Sequence, residues 1–186
     1  MKGAIVWLTG RPGAGKSTLA RLAATGLYRD QKTIEVLDGD EVRLNLSNGL
    51  GYTREDRDTN VKRIAYVARM LAKHDVLVFV AAISPYRETR DLLKRLSVEA
   101  GHAFLEVYVN APLATAEARD TKGIYAKARA GQIPHFTGIS DPYEPPLTPD
   151  VEVFTDRQTH AESTVAIMKA IEARGLSRDG LAPPGT

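Results

Sequence analysis

A lysine followed by a serine behind a run of glycines is suited to handling phosphate, and "GRPGAGKST" at residues 10–18 has that form. Gly10, Gly15, Lys16 and Ser17 fit G-x-x-x-x-G-K-[ST], a loop whose backbone N–H groups turn toward phosphate oxygens. Gly10, Gly13, Ala14, Gly15, Lys16, Ser17 and Thr18 are the expected nucleotide cradle. Lys16 is expected at the β- and γ-phosphates of a nucleoside triphosphate, and Ser17 on Mg²⁺. A second cluster follows in "VLDGDEVR", residues 36–43, where Asp38 and Asp40 flank a glycine ahead of Arg43. Asp and Gly favour tight turns, so the stretch reads either as an acidic turn or as carboxylates for metal binding and proton transfer.

An omission elsewhere bears on that choice. Many P-loop proteins hold Mg²⁺ with an Asp at the end of a later strand. Here the matching strand, Val76–Ile83, runs into Ser84, while Asp75 lies at its other end. The carboxylate must therefore come from elsewhere. Asp38 and Asp40 end a strand on the same sheet edge as the phosphate loop.

The elements that position these residues alternate between strand and helix patterns. "AIVWLT" (4–9) reads as a buried strand, with a helix expected from Lys16 to Tyr28. "TIEVLD" (33–38) is a second strand, and Thr53 with Asp56 resembles a capping box. The helix it opens places Val61, Ile64, Ala65, Ala68, Leu71 and Ala72 on one face. "VLVFVAAI" (76–83) is apolar throughout, as in a central parallel strand. A helix over about 88–100, strands at 103–110 and 151–154, and a last helix over 160–173 complete the pattern. Alternation of this kind implies an α/β fold, a parallel sheet with helices on both faces. Ligands then bind beyond the carboxyl ends of the strands.

Length and composition narrow the class. The 186 residues suit a single domain over 1–175, with 176–186 expected as a loose tail. Net charge is +2 and cysteine is absent, which leaves no charge argument for nucleic acid and excludes thiolate chemistry. No apolar run approaches a membrane span, and a cytoplasmic location is expected. There is no N-K-x-D guanine-reading sequence. Residues 119–149 are rich in Gly, Pro, Lys and Arg. They read as the mobile lid of a small-molecule kinase, which covers the phosphates and excludes water.

Taken together, "GRPGAGKSTLA", "LDGDEVR", "LGYTREDRDTNVKRI", "ISPYRETRD", "RDTKGIYAKARAGQI" and "FTGISDPYEPP" resemble the adenylylsulfate kinase (APS kinase) family over residues 3 to about 155. The resemblance implies a three-layer P-loop NTPase-type fold. It also implies transfer of the ATP γ-phosphoryl to the 3′-hydroxyl of adenosine 5′-phosphosulfate (APS), giving PAPS and ADP with Mg²⁺, by a homodimer. By resemblance Asp38 receives the hydroxyl proton and joins Ser17 in the metal shell, while Asp40 and Arg43 face the acceptor. Arg57, with Asn60 one helical turn on, suits an anionic substrate. Tyr52 stands where the family usually has Phe, as a platform for adenine, with Phe136 expected opposite it. Ile83 and Ser84 line the acceptor pocket, Ser84 as a binding group rather than a covalent carrier. Lys122 touches the acceptor and Arg119 the ATP side. Arg129 reads as a surface charge and Lys127 is left open. The chain departs from the family at "GQIPHFTG", where Pro134 and His135 replace a lysine and a glycine, and at "LNLSNGLG". Two other readings share the motif. A P-loop kinase for a sugar would lack the adenine sandwich. A degenerate nucleotide-binding regulator would not need Lys16, Ser17 and Asp38 together.

Overall fold

The structure, a computed structural model, describes residues 3–27, 33–120 and 122–176. Tyr28 and 177–186, the end of the expected first helix and nearly all of the expected tail, lie outside the described residues. Five strands form one sheet: β1 (Ala4–Thr9), β2 (Ile34–Asp38), β3 (Leu77–Ala81), β4 (Ala103–Asn110) and β5 (Val151–Phe154). Their order is β2-β3-β1-β4-β5, and every pairing is parallel. The helices are α1 (Lys16–Leu27), α2 (Gly39–Leu46), α3 (Arg54–Ala72), α4 (Arg87–Glu99), α5 (Leu113–Arg119), α6 (Ile124–Arg129) and α7 (His160–Ala173).

Side chains of β1 alternate between two cores, as the pleat requires. Val6 and Leu8 pack with Leu19 and Ala23 of α1 and Ile167 and Ile171 of α7. Ile5 and Trp7 pack on the other face with Ile64 and Ala68 of α3 and Leu93 of α4. All six residues of β1 are buried, so the strand reads as a continuous apolar run. The result is the three-layer arrangement with helices on both faces.

Local chemistry sets the helix starts. Thr53 caps α3: its hydroxyl accepts from the Asp56 N–H at 3.2 Å and donates to Asp56 Oδ2 at 2.9 Å. Thr159 and Glu162 form a full capping box at α7. Helix α2 was not expected. Asp38 is its N-cap, accepting from the Asp40 N–H at 3.1 Å. The "DGD" turn is thus the first turn of a helix, and it gives β2 a short, capped exit.

Residues 119–149 contain more order than their composition suggested. Ala116, Tyr125, Ala128 and Phe136 form a small buried core, flanked by Leu113, Ile124, Ile133 and Ile139. It hides from periodicity because its members come from two short helices and a turn.

Candidate active site

The parallel sheet brings the loop and the acidic cluster to one edge. Register aligns Leu8 of β1, Ala81 of β3 and Asp38 of β2 across the sheet. The phosphate loop leaves β1 one residue after Thr9. A Cβ on Gly10 would sit 2.4 Å from Val109 O, so only glycine lets β1 pass β4 here. Gly15, at φ +102°, makes the turn into α1.

Lys16 is 8% exposed, and Nζ donates to Gly10 O at 3.0 Å and Arg11 O at 2.8 Å. An ammonium has three donors, so one remains for a phosphate oxygen. Burial pulls the Lys16 pKa down to about 8 against the opposing fields of Asp40 and Asp38, with Lys122 adding to the fall. Two carboxylates and two ammonium groups therefore share one electrostatic neighbourhood. Arg21 of α1 reaches Asp38 Oδ2 at 3.6 Å, and Lys122 pairs with Asp40. That second pair joins the segment beyond α5 to the first turn of α2 and raises the Lys122 pKa.

The ATP-side expectation for Arg119 coincides with an ordered contact. Its Nη1 donates to Thr155 Oγ1 at 2.9 Å and Nη2 to Thr155 O; Thr155 Oγ1 in turn donates to Ala14 O at 3.0 Å. Arg119 thus stands one residue away from the phosphate loop. Ser17 and Thr18 open α1 beside Lys16.

A second centre lies beyond α2. Arg57 is 8% exposed. Its Nε donates to Tyr52 O at 2.9 Å, Nη1 to Thr137 Oγ1 at 2.7 Å, and Nη2 to His135 O. Asp141 Oδ2 lies 3.9 Å from Nε. Three of five N–H groups are thus spent on protein, which leaves two for a ligand. Arg57 is therefore a clamp between the Tyr52 loop and residues 135–137 as well as a candidate anion contact. Asn60, also 8% exposed, has a buried Oδ1 with no hydrogen-bond partner. A buried orphan of this kind is a ready-made ligand contact. Arg43 donates to Leu50 O at 3.0 Å and to Gly51 O, and its guanidinium lies 4.3 Å from the Tyr52 ring centroid. Tyr52 is 52% exposed, with ring surface left over for a ligand.

Two expectations change. Phe136 does not stand open opposite Tyr52. It is 7% exposed and meets Tyr125 edge-on, centroids 4.9 Å apart, as part of the small core. Ser84, expected in the acceptor pocket and counted with Asp38 and Lys16 at the reacting centre, has its hydroxyl turned into the protein. The residue is 1% exposed, Oγ accepts from Trp7 Nε1 at 2.9 Å and donates to Ala82 O at 3.3 Å. Ser84 shapes the exit of β3 at φ +41° and offers no free nucleophile. Ile83 is held there through its carbonyl, which accepts from Thr9 Oγ1 at 2.7 Å. Arg129 pairs with Glu117 at 2.6 Å on the surface, and Lys127 is exposed.

His135, where the family resemblance leads one to expect glycine, sits at φ +56°. The left-handed backbone explains the family's preference. Its Nδ1 lies 3.4 Å from Asp141 Oδ1. Sequence reasoning missed Thr137, Asp141 and Thr155. Each is a short polar residue in a loop; "FTGISDPYEPP" held Thr137 and Asp141, and no motif marked Thr155.

Comparison with known proteins then decides the family. The adenylylsulphate kinase family model matches residues 2–154. The chain belongs to the adenylylsulfate kinase family. It is 55% identical over 174 residues to an adenylyl-sulfate kinase of Myxococcus xanthus, covering 94% of each chain. A Deinococcus deserti adenylyl-sulfate kinase is 57% identical over 156 residues, 83% of each. An APS kinase of Mycobacterium tuberculosis, solved with AMPPNP and APS, superposes with a TM-score of 0.88 at 42% identity, covering 92% of this chain and 98% of that one. A Sinorhizobium meliloti gluconokinase, 20% identical with a TM-score of 0.60, shares the fold.

Proposed function

We propose that this adenylylsulfate kinase family member transfers the γ-phosphoryl of ATP to the 3′-hydroxyl of APS, forming PAPS and ADP in sulfate assimilation. The observation that carries the reading is the shared sheet edge: buried Lys16 lies in the field of Asp38 and Asp40, and Arg57 and Asn60 lie beyond them. Lys16 and the loop amides hold the donor phosphates. A ribose hydroxyl is a poor nucleophile, and Asp38 accepts its proton as the loose transition state forms. Arg43, Arg57, Asn60, Tyr52, Lys122 and the Ile83 backbone form the acceptor side. Asp40 sets Lys122 in place.

Ser17 and Asp38 supply hard oxygen donors that suit Mg²⁺. Mg²⁺ is commonly held through one or two carboxylates and substrate phosphates. Bound there, Mg²⁺ neutralises charge on the β- and γ-phosphates. Residues 119–149 close over the nucleotides as a lid, with the Lys122–Asp40 pair at its edge. A homodimer is the assembly that the family resemblance implies.

The test is ADP release with ATP-Mg²⁺ against APS, AMP, gluconate and shikimate. The reading expects release above the ATP-only background with APS alone. Faster release with gluconate or shikimate would overturn it in favour of a sugar or metabolite kinase.

A further inference from the structure

Residues 143–144 zip onto the exit of β3, outside the residues assigned above. Glu144 N donates to Pro85 O at 2.9 Å, Glu144 O accepts from Arg90 Nη2 at 2.7 Å, and Glu144 Oε2 accepts from Arg87 N at 2.8 Å. Arg90, 1% exposed, also donates to Ser84 O at 2.7 Å and Glu106 Oε1 at 2.9 Å. Beside them the Tyr143 hydroxyl meets Thr9 Oγ1 at 3.0 Å. Thr9 has one hydroxyl proton, and it goes to Ile83 O at 2.7 Å. Tyr143 must therefore be the donor to Thr9. Burial raises the Tyr143 phenol far above its ordinary range, so it keeps that proton. The directions are then fixed: Tyr143 O–H to Thr9 Oγ, and Thr9 O–H to the Ile83 carbonyl.

The ring of Tyr143 is held as firmly as its hydroxyl. Arg11 of the phosphate loop lies 5.5 Å from its centroid and Arg90 lies 5.8 Å away, while Tyr108 stacks at 6.0 Å. The Ile83–Ser84 turn needs such support, because Ser84 holds a positive φ that is uncommon outside glycine. Thr137 and Asp141, a few residues before Tyr143, face Arg57. One segment thus touches the acceptor side at Arg57, the end of β1 at Thr9 and the β3 exit at Pro85.

We propose that Tyr143 and Thr9 are positioning residues for the acceptor: their hydrogen-bond relay sets the Ile83 carbonyl and the β3 exit in register with the Arg57 clamp. The proposal rests on the APS reading of the site. The relay acts on the acceptor side through the Ile83 backbone, and Tyr143→Phe keeps the ring on which Arg11 of the phosphate loop rests, so its loss falls on acceptor binding more than on ATP.

The test compares wild type with Tyr143→Phe, Thr9→Val, Thr9→Ser and the Tyr143→Phe/Thr9→Val double variant in steady-state kinetics, varying APS and ATP separately. Thermal unfolding is followed alongside. One lost hydrogen bond corresponds to about a fivefold rise in KM for APS. Tyr143→Phe and Thr9→Val are expected to show it, with KM for ATP within about twofold. The double variant is expected to be no worse than either single one, because the relay is one unit. Thr9→Ser, which keeps the hydroxyl, restores the wild-type KM for APS. Equal shifts for both substrates, additive losses, or a Thr9→Ser variant no better than Thr9→Val would overturn the relay while leaving the APS reading intact. A wild-type enzyme that releases no ADP with APS overturns the reading, and the relay's role with it.

Discussion

Replacing Arg57 with alanine removes three donors at once, and the structure sets the size of the loss. Tyr52 O, Thr137 Oγ1 and His135 O each lose a charged partner. The bonds to the Tyr52 and His135 carbonyls are only part-buried, so water replaces much of the donor there. Thr137 is 1% exposed, and its hydroxyl is left dry. An unmet buried group costs about 1–3 kcal/mol. With the lost packing of the stem, the total comes to about 2–3 kcal/mol. For a chain of this size that lowers Tm by roughly 4–12 °C. Where acceptor binding must re-seat residues 135–137, the same energy weakens APS binding by about 30- to 150-fold. With ATP on the phosphate loop, as proposed, away from the partners of Arg57, its KM is expected to stay within about threefold. Arg57→Lys keeps the charge without the fork and should recover less than about tenfold of the loss. Steady-state kinetics with each substrate varied in turn reads both numbers. Equal losses for APS and ATP would refute the assignment of Arg57 to the acceptor side.

Asp38→Asn keeps the cap of α2, since Asn caps as well as Asp. Turnover should fall by at least about a hundredfold with Tm nearly unchanged, and near-normal turnover would remove Asp38 from proton transfer. Lys16 has a folded pKa of about 8 against 10.5 unfolded. The unfolded chain thus binds more protons between those values, and stability of the free protein rises with pH across that window. Bound phosphates favour the charged lysine, so nucleotide binding at pH 8 should take up about half a proton. Calorimetry in buffers of different ionisation enthalpy measures it, and no uptake would contradict the buried-lysine account. His135→Gly relieves a left-handed backbone at φ +56°. It should raise stability by about 1 kcal/mol, seen as a higher Tm, whereas a lower Tm would mean that the Asp141 contact outweighs the strain.

Much of the fold was legible because its signals are local. The apolar run of β1, the helical stripe of α3 and the capping threonines each follow from neighbours in sequence. The ranges of β4, β5 and α7 were readable for the same reason. Helix α2 was hidden because Gly39 sits in its first turn and Asp-Gly-Asp reads as a turn in isolation; the cap from Asp38 decides the matter. The small core around Tyr125 and Phe136 was hidden because its contacts span 20 residues of Gly- and Pro-rich chain. Phe136, expected as a ligand platform, packs edge-on against Tyr125 within that core. Lys16 and Ser17 were readable from the phosphate-loop motif and Asp38 from its place at the end of β2, whereas the roles expected of Asp38 and Arg57 came from the resemblance to the family. The partners of Arg57 were not readable, since Thr137 and Asp141 reach it across about 80 residues. Ser84 shows the converse: its type suggested chemistry, and a hydrogen bond from Trp7, 77 residues away, takes its hydroxyl out of the site.

The central claim is phosphoryl transfer from ATP to one hydroxyl of APS, and the position of the new phosphate tests it most directly. Wild-type enzyme, ATP-Mg²⁺ and APS are incubated, and the nucleotide product is isolated and examined by ³¹P NMR with proton coupling. The account predicts a phosphomonoester coupled to the ribose H3′, with the sulfate still on the 5′-phosphate and ADP formed in equal amount. A phosphate on the 2′-oxygen, or ADP formed without any phosphorylated APS, would contradict it.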